Sequence, residues 1–442
     1  MTRSIAQRFD TKSLLKITMP STVMMMFIAV YAMFSSIFAS LYIGQDALSA
    51  INIIFPLVST VLAIAIMLST GANAIISTNL GTGDEQKARE NFTTIVIVGV
   101  ITGVVLGIIT YVFRYPIIHL LGSTPQLDEQ SLTYLKGYIF IFPFIFLQIF
   151  GQYFFLTAGK GEFVLGISVV GGILNILICY LTMGVWNMGI IGAVIGTAVG
   201  FVVPAVAFVI FFARNKEGKL YFVRPKKHGN FILNACGNGS SEMVTNLAIA
   251  IVTATLNVVM GRLAGEDGVA AVSVLVQTKF LLNSIYIGFG GGVAPIFAYA
   301  RGANDKKQIR NVYKISIRFV LITSVALVIL SLLFKHQIVS AFIRPESSAY
   351  NLAITGFTYF SFGSLFAGIN IFSSVLFTSF SNGKISALIS FLRTFVFTLG
   401  FLLVLSNVFG VTGVWLSTPL AEFGAMIVAI ILLKKYRKTY NY

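Results

Sequence analysis

The sequence predicts an all-α integral membrane protein with twelve transmembrane helices in two pseudo-symmetric six-helix lobes. Of its 442 residues, 57% are hydrophobic and only 10% are charged, whereas a soluble domain carries roughly a quarter charged residues. The apolar residues form stretches of roughly 20 or more, the length of a membrane-crossing helix. The same short motifs also occur in both halves of the chain at one constant separation. Strands of a membrane barrel would alternate in short segments, so these long runs favour helices.

The first helix is predicted at 14–41. Four basic residues up to Lys16 precede its apolar run, as they would precede the apolar region of a signal peptide. However, the apolar run is too long, contains Pro20 and lacks a convincing cleavage site, so we keep it as span 1. The other eleven apolar runs are, in order, 47–77, 92–116, 131–157, 163–183, 190–213, 231–262, 269–300, 312–334, 350–378, 384–406 and 411–433.

The repeated motifs are separated by half the chain length, the interval from Gly44 to Gly265, which we call the repeat spacing. One gap-free spacing over separate motifs indicates a duplicated molecule. Six spans per half return the chain to its starting side. The halves are therefore predicted to be parallel, related by an axis along the membrane normal, with the functional site between them. Within 44–89, ten positions are identical with those one repeat spacing later: Gly44, Asp46, Ala50, Ile64, Ile66, Gly71, Ile75, Gly81, Asp84 and Arg89.

The predicted domains are an N-terminal lobe at 1–213, a basic linker at 214–230 and a C-terminal lobe at 231–442. The formal net charge is +16, but its distribution reflects topology and not nucleic-acid binding. Most lysines and arginines flank the spans on the side of both termini, which predicts a multi-pass protein of the cell membrane (plasma or inner membrane) with cytoplasmic termini. The linker is a candidate for contact with anionic membrane lipid. We expect a monomer. The opposite loops hold five basic residues: Arg114, Lys136, Arg262, Lys335 and Arg344.

Groups capable of catalysis are sparse in the sequence. Cys179 and Cys236 lie in apolar stretches, and the three histidines fall in separate loops, so we predict neither a metal-ligand cluster nor a histidine-based site. An intramembrane enzyme would need paired acids or histidines within its spans, and the sequence has no such cluster. We therefore expect a protein that is not an enzyme and that uses no cofactor apart from a coupling ion.

Two of the fifteen acidic residues, Glu242 and Glu422, lie inside predicted spans. An ionisable group there is costly and is a functional candidate by default. Glu422 is at the middle of span 12, and Arg393 is close to the middle of span 11, at roughly the same depth. Because sequential helices are usually neighbours, we predict a structural ion pair between Arg393 and Glu422 that holds the carboxylate ionised.

Glu242 has no such partner in the sequence. It lies toward the termini in span 7, whereas Lys279 lies toward the opposite side in span 8, about 13 Å away along the membrane normal. A lone carboxylate in low dielectric can bind and release a proton near neutral pH. Alternatively, it can bind sodium together with oxygens of Ser241 and Asn246. We therefore predict an ion-coupling role for Glu242. The alternative is a glutamate at a helix N-terminus that bonds the backbone amides of 237–241.

Span 8 carries a polar stripe. Lys279, Asn283 and Tyr286 follow one another at steps of four and three residues, and therefore share one helix face, with Gln277 nearby. A polar stripe inside a span faces the protein interior or water. We predict that these four residues line the substrate cavity, where the lysine favours anionic groups or repels cations.

The same span contains a glycine cluster followed by a proline. Gly288, the three glycines at 290–292 and Pro295 weaken a helix and free backbone carbonyls. The pattern predicts either a bend that serves alternating access or a static kink.

These features resemble the multidrug and toxin extrusion (MATE) family, within the wider multidrug, oligosaccharidyl-lipid and polysaccharide flippase group. The resemblance covers essentially the whole chain. It implies an efflux antiporter with its lobes arranged as a V, which exports small amphipathic or drug-like compounds in exchange for protons or sodium. A lipid-linked precursor flippase is the alternative. Four stretches carry the resemblance: Tyr42–Gly44 with Ala47–Ala50, Gly237–Met243, Gly292–Pro295 with Tyr299 and Gly302–Asn304, and Gly413–Trp415 with Pro419.

The resemblance also implies roles for single residues. Many family members have an acid in span 1, where this chain has Ser35, and one in span 5 after the asparagine that matches Asn175, where this chain has Cys179. We assign Ser35 and Asn175 to the cavity of the N-terminal lobe. Glu242 is the closest match to a coupling glutamate on span 7, and Arg393 matches a family arginine. Loss of the two acids weakens the expectation of a purely cationic substrate.

Overall fold

The computed structural model describes residues 5–42, 44–226 and 228–442, and of 32–41 and 44–48 it gives the backbone alone. The regular structure in these residues is helical. Two short helices, Arg114–Leu120 and Lys335–Ser340, occupy equivalent places in the two halves. The spans, numbered 1 to 12, are Thr11–Tyr42, Gly44–Gly81, Glu85–Val112, the pair Asp128–Ile139 and Phe142–Thr157, Gly161–Val185, Gly189–Arg214, 231–263, 266–302, Lys306–Leu333, Ser348–Ser379, 383–409 and 411–440.

Three of these assignments depend on breaks in long helices. The 72 residues of Phe231–Gly302 would form a rod about 108 Å long, more than three times the thickness of the bilayer core. The helix breaks at Ala264 and Gly265, where the glycine has φ of 60°, a conformation that glycine adopts at little cost. Gly410, with φ of 56°, separates spans 11 and 12 in the same way. The two helices of span 4 meet at 53°. The prediction of twelve spans is thereby confirmed for the described residues.

The repeat is visible in local geometry. The side chain of Asp84 accepts a hydrogen bond from the Lys87 amide at 3.1 Å, and one repeat spacing later Asp305 accepts one from the Gln308 amide at 2.9 Å. These aspartates cap the helices of spans 3 and 9 by bonding amides that the helix leaves unpaired. The duplicated motifs therefore perform the same structural task in both halves.

The contacts between the halves show how the halves are related. A Cβ on Gly81 would collide with the carbonyl of Tyr299, and a Cβ on Gly302 would collide with the carbonyl of Thr78. Gly302 lies one repeat spacing after Gly81, and Tyr299 lies one repeat spacing after Thr78. The two contacts are therefore equivalent when the halves are exchanged. An inverted repeat would place the ends of spans 2 and 8 on opposite faces. The halves are therefore parallel, as predicted.

A second pair of contacts between the halves, about three helical turns from the first pair along spans 2 and 8, obeys the same symmetry. A Cβ on Gly71 of span 2 would lie 2.8 Å from the amide of Gly239 in span 7. A Cβ on Gly292 of span 8 would lie 3.0 Å from the Cα of Thr18 in span 1. Small residues allow such close backbone approach in membrane helices. Spans 1, 2, 7 and 8 thus form the interface between the halves.

The ends of the described chain lie on one face, which we call the terminal face. Arg89 donates to the carbonyl of Lys219 at 3.0 Å, and Arg310 donates to the carbonyl of Asn441 at 3.2 Å. The side chain of Asn311 donates to the carbonyl of Phe9. The glycine contacts at Gly81 and Gly302 lie on the same face, so the two halves are held together there.

The glycine cluster of span 8 keeps helical backbone angles, because the non-helical residues of this long helix are Ala264 and Gly265. Gly288 approaches the carbonyl of Ser21, and the Ser21 hydroxyl donates back to the Gly288 carbonyl at 2.8 Å. The cluster therefore provides a smooth surface for span 1, and the predicted bend is not needed to explain the glycines.

Alanine substitutions at two neighbouring glycines should differ. A Cβ on Gly292 would lie 2.6 Å from the Ser21 hydroxyl oxygen, whereas Gly291 has nothing closer than 3.9 Å. Overpacking costs about 1–3 kcal/mol, so Gly292→Ala should lower the unfolding midpoint of the purified protein and Gly291→Ala should leave it unchanged. Thermal unfolding of the two variants in detergent checks this. Equal midpoints for the two variants would contradict the packing role.

Candidate functional site

A charged cluster lies inside the C-terminal half. Arg393 donates two hydrogen bonds of 2.8 Å to the two carboxylate oxygens of Glu422, and Asn370 donates a third at 2.9 Å. Lys279 Nζ lies 3.5 Å from the same carboxylate. The structure thus brings Arg393 and Glu422 together. It also places Lys279 beside Glu422, a contact that the sequence reasoning missed because it compared Lys279 only with Glu242.

Removing one member of this cluster should destabilise the protein strongly. Glu422 is only 2% exposed, and a buried ion pair that loses one partner costs about 3–5 kcal/mol. We expect Glu422→Gln, which leaves the largely buried Arg393 guanidinium without its carboxylate, to lower the unfolding midpoint of the purified protein more than the double variant Arg393→Met/Glu422→Gln, in which only the partly exposed Lys279 loses its partner. A double variant that is less stable than the single one by the full cost of a second substitution would contradict this account.

Glu242 lines a cavity of about 50 Å³ between the two halves. This volume can hold at least one water molecule or a monovalent cation. In the described part of the chain, the Glu242 carboxylate has no hydrogen-bond or ion-pair partner. Arg393 lies within electrostatic range. The other lining residues come from spans 2, 4, 8 and 10: Thr70, Asn73, Ala74, Tyr153, Ile287, Gly291, Ala294, Ile371, Val375, Thr378 and Ser379.

The alternative interpretation of Glu242 is wrong. The helix begins at Phe231, three turns earlier, so the amides around Glu242 belong to the helix interior and are bonded within it. The carboxylate is therefore not a cap for the backbone of 237–241.

Two predicted partners of Glu242 take other positions. Ser241 is fully buried, with its hydroxyl 3.3 Å from that of Thr378. The Asn246 amide donates to the backbone carbonyl of Glu242 at 2.8 Å. Neither lines the cavity, which corrects the predicted sodium ligands. Instead, Thr378 and Ser379 of span 10 supply hydroxyls there. The number of serines and threonines in span 10 was the sequence signal for this.

Two predicted cavity residues are also corrected. Tyr286 is 2% exposed, and its hydroxyl bonds Ser324 at 2.9 Å and the Ser364 carbonyl at 3.1 Å inside the C-terminal half. Asn175 is buried, and its amide donates to the Gly196 carbonyl at 2.8 Å, joining spans 5 and 6.

The remaining predicted cavity residues keep their place as candidates. Gln277 and Asn283 are partly exposed, and the Lys279 side chain is 31% exposed. The side chain of Ser35 lies outside the described residues.

Each half of the chain matches one family model. The MatE model matches residues 20–181 and again residues 243–404, together well over half of the chain. The chain belongs to the MatE family. The interval between the starts of the two matches, at residues 20 and 243, is close to the repeat spacing of the motifs, and this confirms the duplication within a MatE protein.

Solved MATE structures share this fold. A structure described as the outward-facing conformation of a multidrug resistance MATE family transporter of the MOP superfamily superposes with a TM-score of 0.92 at 20% identity, covering 98% of this chain and 97% of that chain. A MOP superfamily transporter from Pyrococcus furiosus, described as having a binding pocket of reverse polarity, gives 0.89 at 20% identity and 98% of both chains. Multidrug export protein MepA of Staphylococcus saprophyticus is 21% identical over 430 residues, 96% of this chain and 93% of its own length.

Proposed function

We propose that this MatE protein is a secondary active antiporter that exports small amphipathic or drug-like compounds in exchange for protons or sodium. The observation that carries the proposal is the Glu242 carboxylate in the cavity between the halves. The cavity is lined by residues of both halves, so occupancy of a titratable group there can bias which face opens. Curated relatives that span nearly the whole chain are named multidrug export proteins. This supports drug export over a lipid-linked precursor flippase.

The mechanism follows from the position of Glu242. Binding of a proton or sodium ion removes an uncompensated negative charge from a low-dielectric site, which makes closure around the site less costly. Thr378 and Ser379 would supply further oxygens to sodium, since hydroxyl oxygens suit a hard cation. Release of the ion restores the charge and favours the state in which the carboxylate is hydrated. A substrate that occupies the space between the halves competes with this closure, which gives exchange.

The proposal includes the arrangement of the molecule in the membrane. The lobes are 1–213 and 231–442, joined by the basic linker at 214–230, and the terminal face is cytoplasmic. Positive charge on that face supports this orientation, and the linker lysines would meet anionic headgroups there. We infer a monomer in the cell membrane.

Reconstituted vesicles with imposed gradients test the proposal. A panel of dyes is loaded, and a proton gradient or a sodium gradient is applied separately while dye movement is followed. We expect one of the two gradients to drive dye uphill. Dye movement that only follows its own gradient, under both ions, would overturn the antiport mechanism.

A further inference from the structure

We propose that the segments leading into spans 1 and 7 are a reciprocal pair of tethers that hold the terminal face closed. The first tether is residues 226 and 228–230, and the second tether is residues 7–10. Each tether precedes the first span of one half but is bound by the third span of the other half. This arrangement goes beyond the exchange reaction, because it concerns how the closed state of one face is maintained.

The first tether is held by an acid in the N-terminal half. Glu90 of span 3 is 3% exposed. Its carboxylate accepts from the Gln86 amide at 2.8 Å, lies 2.5 Å from His228 Nε2 and lies 3.4 Å from Lys226 Nζ. His228 stands three residues before span 7 begins at Phe231. The start of the C-terminal half is therefore fastened to the N-terminal half.

The second tether is held by amides in the C-terminal half. The Asn311 amide of span 9 donates to the carbonyl of Phe9, and the Gln308 amide donates to the carbonyl of Gln7 at 3.0 Å. Phe9 is 3% exposed and stands two residues before span 1 begins at Thr11. The start of the N-terminal half is thus fastened to the C-terminal half.

The binding surfaces are the same surface in two copies. Asn311 lies one repeat spacing after Glu90, the separation that also relates the Asp84 and Asp305 caps. Their chemistry differs, since one copy is ionic and the other is neutral. Equivalent positions of the two halves thus each bind the segment that leads into the other half. Duplication of the chain explains this pattern, whereas incidental packing would not repeat at the repeat spacing.

The tethers are too short to remain bound when the terminal face opens. Only Asp10 separates Phe9 from span 1, and only Gly229 and Asn230 separate His228 from span 7. One extended residue spans at most about 3.6 Å, so separation of the halves by more than a few ångströms must break these contacts. The tethers therefore favour the closed terminal face.

Spin labels on the terminal face test this directly. Thr82 and Ala303 are exposed and lie on opposite halves, so a label on each reports opening. Loss of a hydrogen bond to a charged group shifts an equilibrium by about tenfold or more. We expect Glu90→Gln to increase the population with a long label distance about tenfold, and Asn311→Ala to increase it less. The exposed linker residue Glu217 provides the matched control Glu217→Gln, which should change nothing.

A second variant separates opening of the terminal face from a general loss of stability in Glu90→Gln. Insertion of four Gly and Ser residues after Gly229, which is exposed with φ of 49°, leaves the Glu90 contacts intact but slackens the tether. The inserted variant should open as readily as Glu90→Gln while its unfolding midpoint stays that of the parent protein. Label distances that remain short in both variants would overturn the proposal.

Discussion

Replacing Glu242 by glutamine should abolish uphill transport while leaving downhill substrate exchange. Glutamine fills the same volume in the cavity between the halves, but it cannot bind a proton and release it, and it provides no negative charge for sodium. We expect the gradient-driven rate to fall about 100-fold or more, to the rate of vesicles without protein. The reason is that the conformational change of the variant no longer depends on ion binding, so an ion gradient cannot drive it. The measurement is dye accumulation against its gradient in vesicles with an imposed proton or sodium gradient.

The control is an acid at the surface. Glu346 is exposed in the loop before span 10, and Glu346→Gln removes an equal charge without touching the cavity. This variant should accumulate dye at the parent rate. If Glu242→Gln still drives dye uphill in an ion-dependent manner, Glu242 is not the coupling residue.

Replacing Gly81 or Gly302 by valine should prevent the terminal face from closing. In each case the new Cβ meets a backbone carbonyl of the other half, which no rotamer change can move aside. Overpacking of this kind costs about 3 kcal/mol or more, enough to shift the balance between closed and open terminal faces about 100-fold. Transport should fall accordingly. The distance between spin labels on Thr82 and Ala303, which are exposed on opposite halves, reports the open state.

The matched control is a glycine with open space around it. Gly166 lies on span 5, and a Cβ there meets nothing within 4 Å, so Gly166→Val should transport normally. The symmetry of the contacts adds a stricter condition, because Gly81→Val and Gly302→Val should have similar effects. A large effect of one substitution with no effect of the other would disprove the two-fold relation.

The parallel architecture was predictable because it depends on spacing. The caps at Asp84 and Asp305 act on residues three positions away, so their recurrence at a constant separation reports the same local structure twice. Span boundaries were less predictable. The helices run beyond the apolar stretches, as at Glu85 and Tyr440, where hydropathy has no signal.

Within the site, contacts between side chains were predictable only where the two side chains lie on successive spans. Arg393 and Glu422 lie on successive spans, and matching depth was enough to pair them. Lys279 reaches Glu422 from a span several places earlier in sequence, and the bundle topology that makes these helices neighbours has no signature in the local pattern. Tyr286 shows the same limitation, because a polar stripe identifies a helix face but does not tell whether that face meets a cavity or another helix.

Alternating access of two upright halves is tested most directly by paired distance measurements on the two faces. One pair of spin labels is placed at Thr82 and Ala303 on the terminal face, and the other at Thr124 and Pro345, exposed residues related by the same repeat spacing on the opposite face. Cys179 and Cys236 are first replaced by serine. On loading with substrate or coupling ion, one distance should lengthen as the other shortens. Distances that stay fixed during transport, or that lengthen together, would contradict the account.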